Sequence, residues 1–261
     1  MPTLHRMASE DGAVVGTDAR AAIRASGPNF VSLPGYTEML TGAPATCFDN
    51  SCPQITVPTI LDRAVADGMT AAAFTSWERL YRAVSWRPGS FVVSSGRDYH
   101  YRPDAETADL ALAWLEQYRP DILFLALGDT DEDAHRGDLQ GYRDALIRDD
   151  AILARLRATL DRMGERGRAT NVIVTADHGR AKDFRDHGGE WPESARVWLV
   201  ATGPRVRTRG ASPSPYPRSL SDVAPTIASM LDLPSSPAKG EVLSELVTSS
   251  PDNVLVLHHA R

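Results

Sequence analysis

Two short apolar runs, Ile122-Leu123-Phe124-Leu125-Ala126-Leu127 and Val172-Ile173-Val174, constrain this chain more than any other feature. Uninterrupted apolar runs of this length read as strands buried on both faces, the pattern of a parallel sheet covered by helices. Carboxylates and imidazoles follow each run at once. The first leads into Gly128-Asp129-Thr130-Asp131-Glu132-Asp133-Ala134-His135. The second leads into Thr175-Ala176-Asp177-His178-Gly179, with Asp186-His187-Gly188 a few residues on. The ligand crevice of an open α/β sheet lies at such strand ends. Carboxylate oxygen and imidazole nitrogen together suit zinc and related divalent ions. A lone Asp-His pair is more often a surface turn, but two clusters at two strand ends point to a metal site.

The rest of the chain alternates in the same way, which predicts a largely parallel sheet with helices on both faces. Residues 59–67 read as a helix stopped by Gly68, and Met69 to Phe74 as a strand. Phe91-Val92-Val93 is a further strand. Pro103 to Tyr118 reads as a helix with Leu110, Ala111, Trp114 and Leu115 on one face. The longest helix is expected from Leu139 to Arg166, with an apolar stripe of Leu146, Ile147, Leu153, Leu156 and Leu160. Val197 to Val200 reads as one strand and residues 203–219 as an exposed loop. Ser221-Asp222 is expected to cap a last helix through Leu231. With no internal repeat and no linker, residues 1–247 read as one domain and 248–261 as a C-terminal tail.

Composition excludes some function classes. A net charge of -6 with scattered arginines offers no basic face for nucleic acid. No apolar stretch approaches the ~20 residues that span a bilayer, and the N-terminus lacks a charged-then-apolar leader pattern. Cys47 and Cys52 are expected to be free thiols. His5, His100, His258 and His259 read as surface or packing residues. Tyr36 and Trp191 suit a substrate pocket or the core equally well.

The segment Ser32-Leu33-Pro34-Gly35-Tyr36-Thr37-Glu38-Met39-Leu40-Thr41-Gly42 reads as a helix led by a serine and ended by glycine. Ser32 is then either an N-cap or a hydroxyl facing an anion held by the helix N-terminus. There is no Gly-x-Ser-x-Gly elbow of an ordinary serine hydrolase. Taken together, these segments resemble the alkaline phosphatase superfamily, and within it the nucleotide pyrophosphatase/phosphodiesterase-like branch. Ser32, Pro34 and Thr41-Gly42 match the spacing of the nucleophile helix in that branch. Asp131 and His135 match its Asp-x-x-x-His, Asp177-His178-Gly179 its Asp-His-Gly, and His187 its final metal histidine. Asp222 to Ile227 resembles its C-terminal Asp-x-x-Pro-Thr-Leu segment.

The resemblance implies a three-layer α/β fold and two divalent ions, zinc or alternatively manganese. One ion would be held by Asp131, His135 and His187, the other by Asp177, His178 and the Ser32 oxygen. Asn50 would contact phosphoryl oxygens. Asp131 is preferred over Asp129 and Asp133 because its i, i+4 spacing also puts it on one helical face with His135; Asp129 then orients the loop or a neighbouring imidazole. The implied activity is hydrolysis of a small phosphorylated substrate, a monoester or diester, through a Ser32 phospho-enzyme.

Two relatives within the superfamily remain as alternatives. A sulfatase would carry an Arg two residues after Pro34, where Tyr36 stands. A phosphoglycerate mutase would carry a large inserted domain, for which the 76–120 region reads as too short. The family also begins with an apolar strand ending in a metal-binding Asp. Pro2 to Ala8 resembles the helix after that strand, and Asp11-Gly12 reads as a turn, so about 30–45 residues are expected to be missing, the size of a strand-plus-crossover unit. A metal-binding protein without catalysis is therefore a third alternative. The chain as written implies the cytoplasm; a leader on the missing segment would imply the periplasm or secretion.

Overall fold

The computed structural model describes residues 1–16, 23–207, 210–214, 216–234 and 238–247. The expected tail, 248–261, lies outside the described residues. In chain order the elements begin α1 (Pro2–Arg6), β1 (Gly12–Val15), β2 (Ile23–Arg24), α2 (Ser32–Thr41), α3 (Ile60–Ala66) and β3 (Ala71–Thr75). Next are α4 (Tyr81–Val84), β4 (Val92–Ser95), α5 (Asp104–Tyr118), β5 (Ile122–Ala126), α6 (Asp129–His135), α7 (Leu139–Arg162) and α8 (Glu165–Arg168). The chain continues through β6 (Val172–Thr175), β7 (Arg196–Val197), β8 (Leu199–Thr202), β9 (Gly210–Ala211), β10 (Arg218–Ser219) and α9 (Val223–Met230). This is the expected α/β architecture.

Among the described residues, β4-β3-β5 form one sheet that is parallel throughout. A second has the order β6-β8-β1-β9, with β8 antiparallel to both neighbours and β9 parallel to β1. Since β8 reverses twice, β6 and β1 run the same way. The third joins β10, β2 and β7. Side-chain alternation splits β3 and β5 between two helical layers. Ala72, Phe74, Leu123 and Leu125 pack against Ala111 of α5. Ala73, Ile122 and Phe124 face the other way, against Leu33 of α2, Ile60 of α3 and Ala228 of α9.

Several local expectations are corrected. Gly12 opens β1 opposite Thr202 instead of forming a turn. A Cβ at Gly12 would lie 2.0 Å from the Ala201 carbonyl oxygen, so this register admits only glycine. The strand was hidden because the polar residues before it form an irregular helical turn, Met7–Asp11. Helix α1, with five residues, is too short to stand alone. It is held by the buried Asp150 of α7, which accepts from Thr3 N at 3.0 Å and Leu4 N at 2.8 Å.

The long helix stops at Arg162, because Gly164 takes a positive φ of 65° and α8 starts a new turn. On the helical faces, Leu110 and Ile147 point to solvent, at 43% and 63% exposure. The segment read as one strand at 197–200 is two strands in different sheets, parted at Trp198. Part of the expected loop at 203–219 pairs as β9 and β10. Asp222 is the N-cap residue of α9, within the expected Ser221-Asp222 pair, but its side chain makes no capping bond there and instead closes a capping box with Ser219 around the 3-10 turn Leu220–Asp222. Ser221 is instead buried, donating to Glu38 from its hydroxyl at 2.9 Å. Cys47 and Cys52 form a disulfide, not two free thiols. A turn in which Cys52 N donates to the Asp49 carbonyl brings their Cα atoms to 5.6 Å, inside bonding range.

Candidate metal centre

Strand β5 delivers the first acidic cluster, and a buried carboxylate fixes where it goes. Asp104, at the start of α5, accepts from Gly128 N and Asp129 N, each at 2.7 Å. Helix α6 therefore starts directly at the strand end. Asp129 accepts from the Tyr101 hydroxyl at 2.8 Å, so it orients the loop as expected. Asp133 pairs with Arg136 and turns away. That leaves Asp131, whose Oδ2 lies 3.3 Å from His135 Nε2 one turn on.

Two further imidazoles come from the segment after β6, and backbone carbonyls set their tautomers. His178 Nδ1 is 2.9 Å from the Gly179 carbonyl, and His187 Nδ1 is 3.1 Å from that of Phe30. A carbonyl can only accept, so each Nδ1 carries the proton and each Nε2 keeps its lone pair. This is the arrangement of metal-binding histidines. The two rings stack with centroids 4.0 Å apart. His187 Nε2 lies 3.1 Å from His135 Nε2 and 4.0 Å from Asp131 Oδ1. His178 Nε2 lies 3.5 Å from Asp177 Oδ2. Ligand atoms of Asp131, His178 and His187 all fall within 4.8 Å of one another. That trio takes members from both expected ligand sets, so the two sets abut rather than standing apart.

Burial and charge tune these groups toward metal binding. Burial lowers the pKa of His178; burial, reinforced by repulsion between the two rings when charged, lowers His187 to about 4, so both are biased toward the neutral, metal-binding form. Burial opposes the Asp131 carboxylate, yet the His135 hydrogen bond and the charges of His178 and Arg180 outweigh it and hold the pKa at about 2. For Asp177, burial and the nearby Asp131 charge push the pKa up to about 7. Imidazoles biased toward neutrality, beside the Asp131 carboxylate and an Asp177 carboxyl that lacks countercharge, are the donor set a divalent cation needs. The residues present fit such an ion.

Ser32 occupies the first position of α2, and its Oγ is 3.3 Å from His178 Nε2. It makes no capping bond, since the N-cap is Val31 and carries none. Asn50 does that work: its Oδ1 accepts from Leu33 N at 2.9 Å, which leaves the amide NH2 to donate. Gly35 lets α2 sit directly on the second cluster. A Cβ there would be 2.3 Å from the Asp177 carbonyl oxygen. Tyr36 packs between the two main apolar clusters, edge-on to Phe124 at 6.1 Å, and so belongs to the core.

Two residues here escaped the sequence reading. Arg180 pairs with the Asp131 carboxylate and also donates to its carbonyl at 3.1 Å. Asn29 accepts from Gly189 N and from Phe30 N, joining the His187 loop to the entry of α2. Arg180 follows Asp177-His178-Gly179 directly, which was the one available signal; Asn29 carried none.

Comparison with known proteins places this geometry in a family. Residues 91–235 match the Metalloenzyme superfamily, a span that carries Asp131, His135, Asp177, His178 and His187. The chain is 35% identical over 147 residues to a 2,3-bisphosphoglycerate-independent phosphoglycerate mutase of Desulforudis audaxviator, covering 53% of this chain and 26% of that protein. It is 33% identical over 181 residues to a phosphopentomutase of a Methylobacterium species, covering 67% of this chain and 38% of the relative. The chain thus spans well under half of either mutase. Among solved structures, a phosphonate monoester hydrolase from Silicibacter pomeroyi superposes with a TM-score of 0.67 at 16% identity, over 97% of this chain and 72% of that one. A 2-O GAG sulfatase superposes with a TM-score of 0.65 at 13% identity, over 92% and 67% of the two chains. These two likenesses establish the shared fold. The match extends over more than half of the chain and contains five of the candidate metal ligands, so the chain belongs to the Metalloenzyme superfamily, the alkaline-phosphatase-like enzymes.

Proposed function

We propose that the protein is a two-metal-dependent hydrolase of small phosphate esters in which Ser32 is the nucleophile. The observation that carries this reading is the Ser32 hydroxyl, free of capping duty and 3.3 Å from the lone pair of His178 Nε2. With His178 Nδ1–H tied to a carbonyl, the Nε2 lone pair faces the Ser32 hydroxyl, so a cation held by Nε2 would take the place of that contact and lie within reach of Ser32 Oγ. Asp131, His135 and His187 would hold one divalent ion, and Asp177 and His178 with Ser32 the second. When bound, such ions lower the pKa of a coordinated hydroxyl and neutralise charge on the transferring group. Ser32 Oγ loses its proton to solvent and bonds to phosphorus as the ester P–O bond breaks; the departing oxygen takes up a proton and leaves as the alcohol, and water hydrolyses the phosphoserine to inorganic or monoester phosphate. The Asn50 NH2 would bind the non-bridging oxygens.

A second reading, phosphoryl transfer to another hydroxyl of the substrate, is favoured by the mutases among the curated relatives. Both readings share the phosphoserine. Narrowing the reading to the phosphodiesterase-like branch rests on the Ser32-x-Pro34 spacing, and Tyr36 in place of an arginine disfavours sulfate esters.

The test is p-nitrophenyl phosphate and bis-p-nitrophenyl phosphate turnover, with metal content and acid-quenched peptide mass spectrometry. Ser32→Ala is expected to abolish turnover while metal content stays nearly intact, and the wild type to trap phosphate on Ser32. Full activity in the variant would remove Ser32 from the mechanism. Products formed in 18O-labelled water separate hydrolysis, which incorporates the label, from intramolecular transfer, which does not.

A further inference from the structure

Ser32 opens α2, and the chain that leaves α2 comes back to hold its first turn. Residues 42–59 join α2 to α3 without a helix or strand. Within that connection the Cys47–Cys52 disulfide closes a short ring, and Asn50 lies inside it. Asn50 Oδ1 accepts from Leu33 N at 2.9 Å. The first amides of a helix have no acceptor within it, so Asn50 supplies a bond that α2 cannot. Among the described residues, this is the one hydrogen bond that ties residues 47–51 to the chain outside the ring. The others stay inside it, from Ser51 to the Asp49 carboxylate and from Cys52 N to the Asp49 carbonyl.

The two sulfurs are anchored unequally. Cys52 is 5% exposed and packs with Leu33 of α2 and Ile60 of α3, and its carbonyl accepts from the Arg82 guanidinium of α4 at 3.2 Å. Cys47 is only half-buried and stands between the exposed Thr46 and Phe48. The arm Cys47-Phe48-Asp49 is therefore held to the core through the Cys47 sulfur. One hydrogen bond at the rim is worth little net against water, whereas every residue released regains backbone freedom. The crosslink, more than the hydrogen bond, fixes where Asn50 stands.

We propose that the Cys47–Cys52 disulfide is a reducible clasp on Asn50. Oxidised, it holds Oδ1 on Leu33 N with the amide NH2 free for a phosphoryl oxygen; reduced, it releases Asn50 and turnover falls. The effect on turnover rests on the phosphoryl-transfer reading of Ser32 and Asn50 above. The partner is a dithiol reductant. Its thiolate attacks the accessible Cys47 Sγ, the S–S bond breaks, and the electron pair leaves on Cys52 Sγ, which takes up a proton. The second sulfur of the dithiol then displaces Cys47 Sγ, which takes up a proton in turn as the dithiol closes to its own disulfide. Two electrons and two protons pass to the chain, and an oxidised dithiol reverses both steps.

Leu33 amide exchange and steady-state kinetics on the full, zinc-loaded chain test this together. Dithiothreitol is the reductant, removed without air before zinc is restored. The untreated chain should show no free thiol and the reduced chain two; free thiols before reduction overturn the proposal. Reduction, and separately the double variant Cys47→Ser/Cys52→Ser, should speed Leu33 exchange roughly tenfold or more while α7 stays protected. Unchanged Leu33 exchange overturns the clasp. With metal content unaltered, kcat for bis-p-nitrophenyl phosphate should fall by about 100-fold, the scale of a lost or misplaced oxyanion donor. Asn50→Ala should lose as much, and adding it to the double variant should cost nothing further. A further loss would mean that the disulfide acts through another group and overturns the assignment. Dithiothreitol should not change the double variant; a fall there assigns the effect to metal loss and overturns it too. Faster Leu33 exchange with kcat unchanged would also refute the proposal. Faster exchange in a chain that never turns over would leave the clasp standing and remove the hydrolase reading instead.

Discussion

At the scale of single residues, contact distance outranks residue type. Gly35 has no unusual φ, yet a methyl group there would meet the Asp177 backbone at 2.3 Å. A backbone atom cannot swing aside as a side chain would, so Gly35→Ala must lift the first turn of α2 from the end of β6. Misplacement by ~1 Å is worth about 100-fold in rate, and overpacking costs about 1–3 kcal/mol. We expect kcat to fall by roughly that factor with a lower urea midpoint. Unchanged kcat would mean that Ser32 is positioned by something other than this contact.

Asp149 supplies a pH prediction. Its Oδ1 is buried without a partner among the described residues, and burial, aided by the Asp104 and Asp129 charges, pushes its pKa up to about 7. The unfolded value is about 3.9, so across pH 4–7 the folded chain holds a proton that the unfolded chain has released. Stability from this group is thus greatest below the window and declines as pH rises through it. Asp149→Asn, permanently neutral, should gain on the wild type by on the order of 1–3 kcal/mol from pH 4 to pH 8, solvent screening included. Parallel urea-midpoint curves for the two chains would refute it. The clustering of Asp131, His178 and His187 was legible because carboxylates and imidazoles recur at fixed spacing after apolar runs. Arg180 and Asn29 were not, since their roles depend on loops folding back across 49 and 160 residues.

At the scale of elements, patterns that are local in sequence were readable and those set by partners were not. The helix predicted at 59–67 forms because Thr59 and Asp62 close a capping box. Thr59 is fully buried; its hydroxyl accepts from Asp62 N at 3.2 Å and lies 2.9 Å from the Val84 carbonyl, joining α3 to α4. Thr59→Ala removes the cap and strands a buried acceptor, so a loss of about 1–2 kcal/mol is expected. Thr59→Ser should restore most of it, and equal midpoints for all three chains would sink the capping account. The break at Trp198 could not be read in this way. Val197 pairs with Ile23 and Leu199 with Val15 and Thr175, a change of sheet dictated by partners far away in sequence. Ile147 and Leu110 fail for a related reason: an apolar residue in a helix is buried only if another element arrives to cover it.

For the whole molecule, the metal centre is a junction of chain segments that share few other bonds. Asp131 comes from α6, His178 from the end of β6, His187 from the loop beyond it, and Ser32 from α2. Without a cation the junction relies on Arg180 against Asp131 and on facing imidazole nitrogens, while Asp177 is pushed toward its neutral form. A divalent ion that binds only this folded arrangement adds its binding free energy to stability, about 2.7 kcal/mol at 100 times its Kd. For a chain of this size that corresponds to a Tm rise of roughly 5–10 °C. Chelation should therefore lower Tm by at least that amount, and zinc or manganese added in excess of the chelator and of two equivalents per chain should restore it. His187→Ala should lower the holo Tm toward the chelated value and respond little to added metal. Since Ser32→Ala keeps the carboxylates and imidazoles, it should retain most of the metal-dependent rise although it does not turn over. If the wild type melts at the same temperature with and without metal, the cluster is only a packed set of polar side chains, and the two-ion mechanism fails with it.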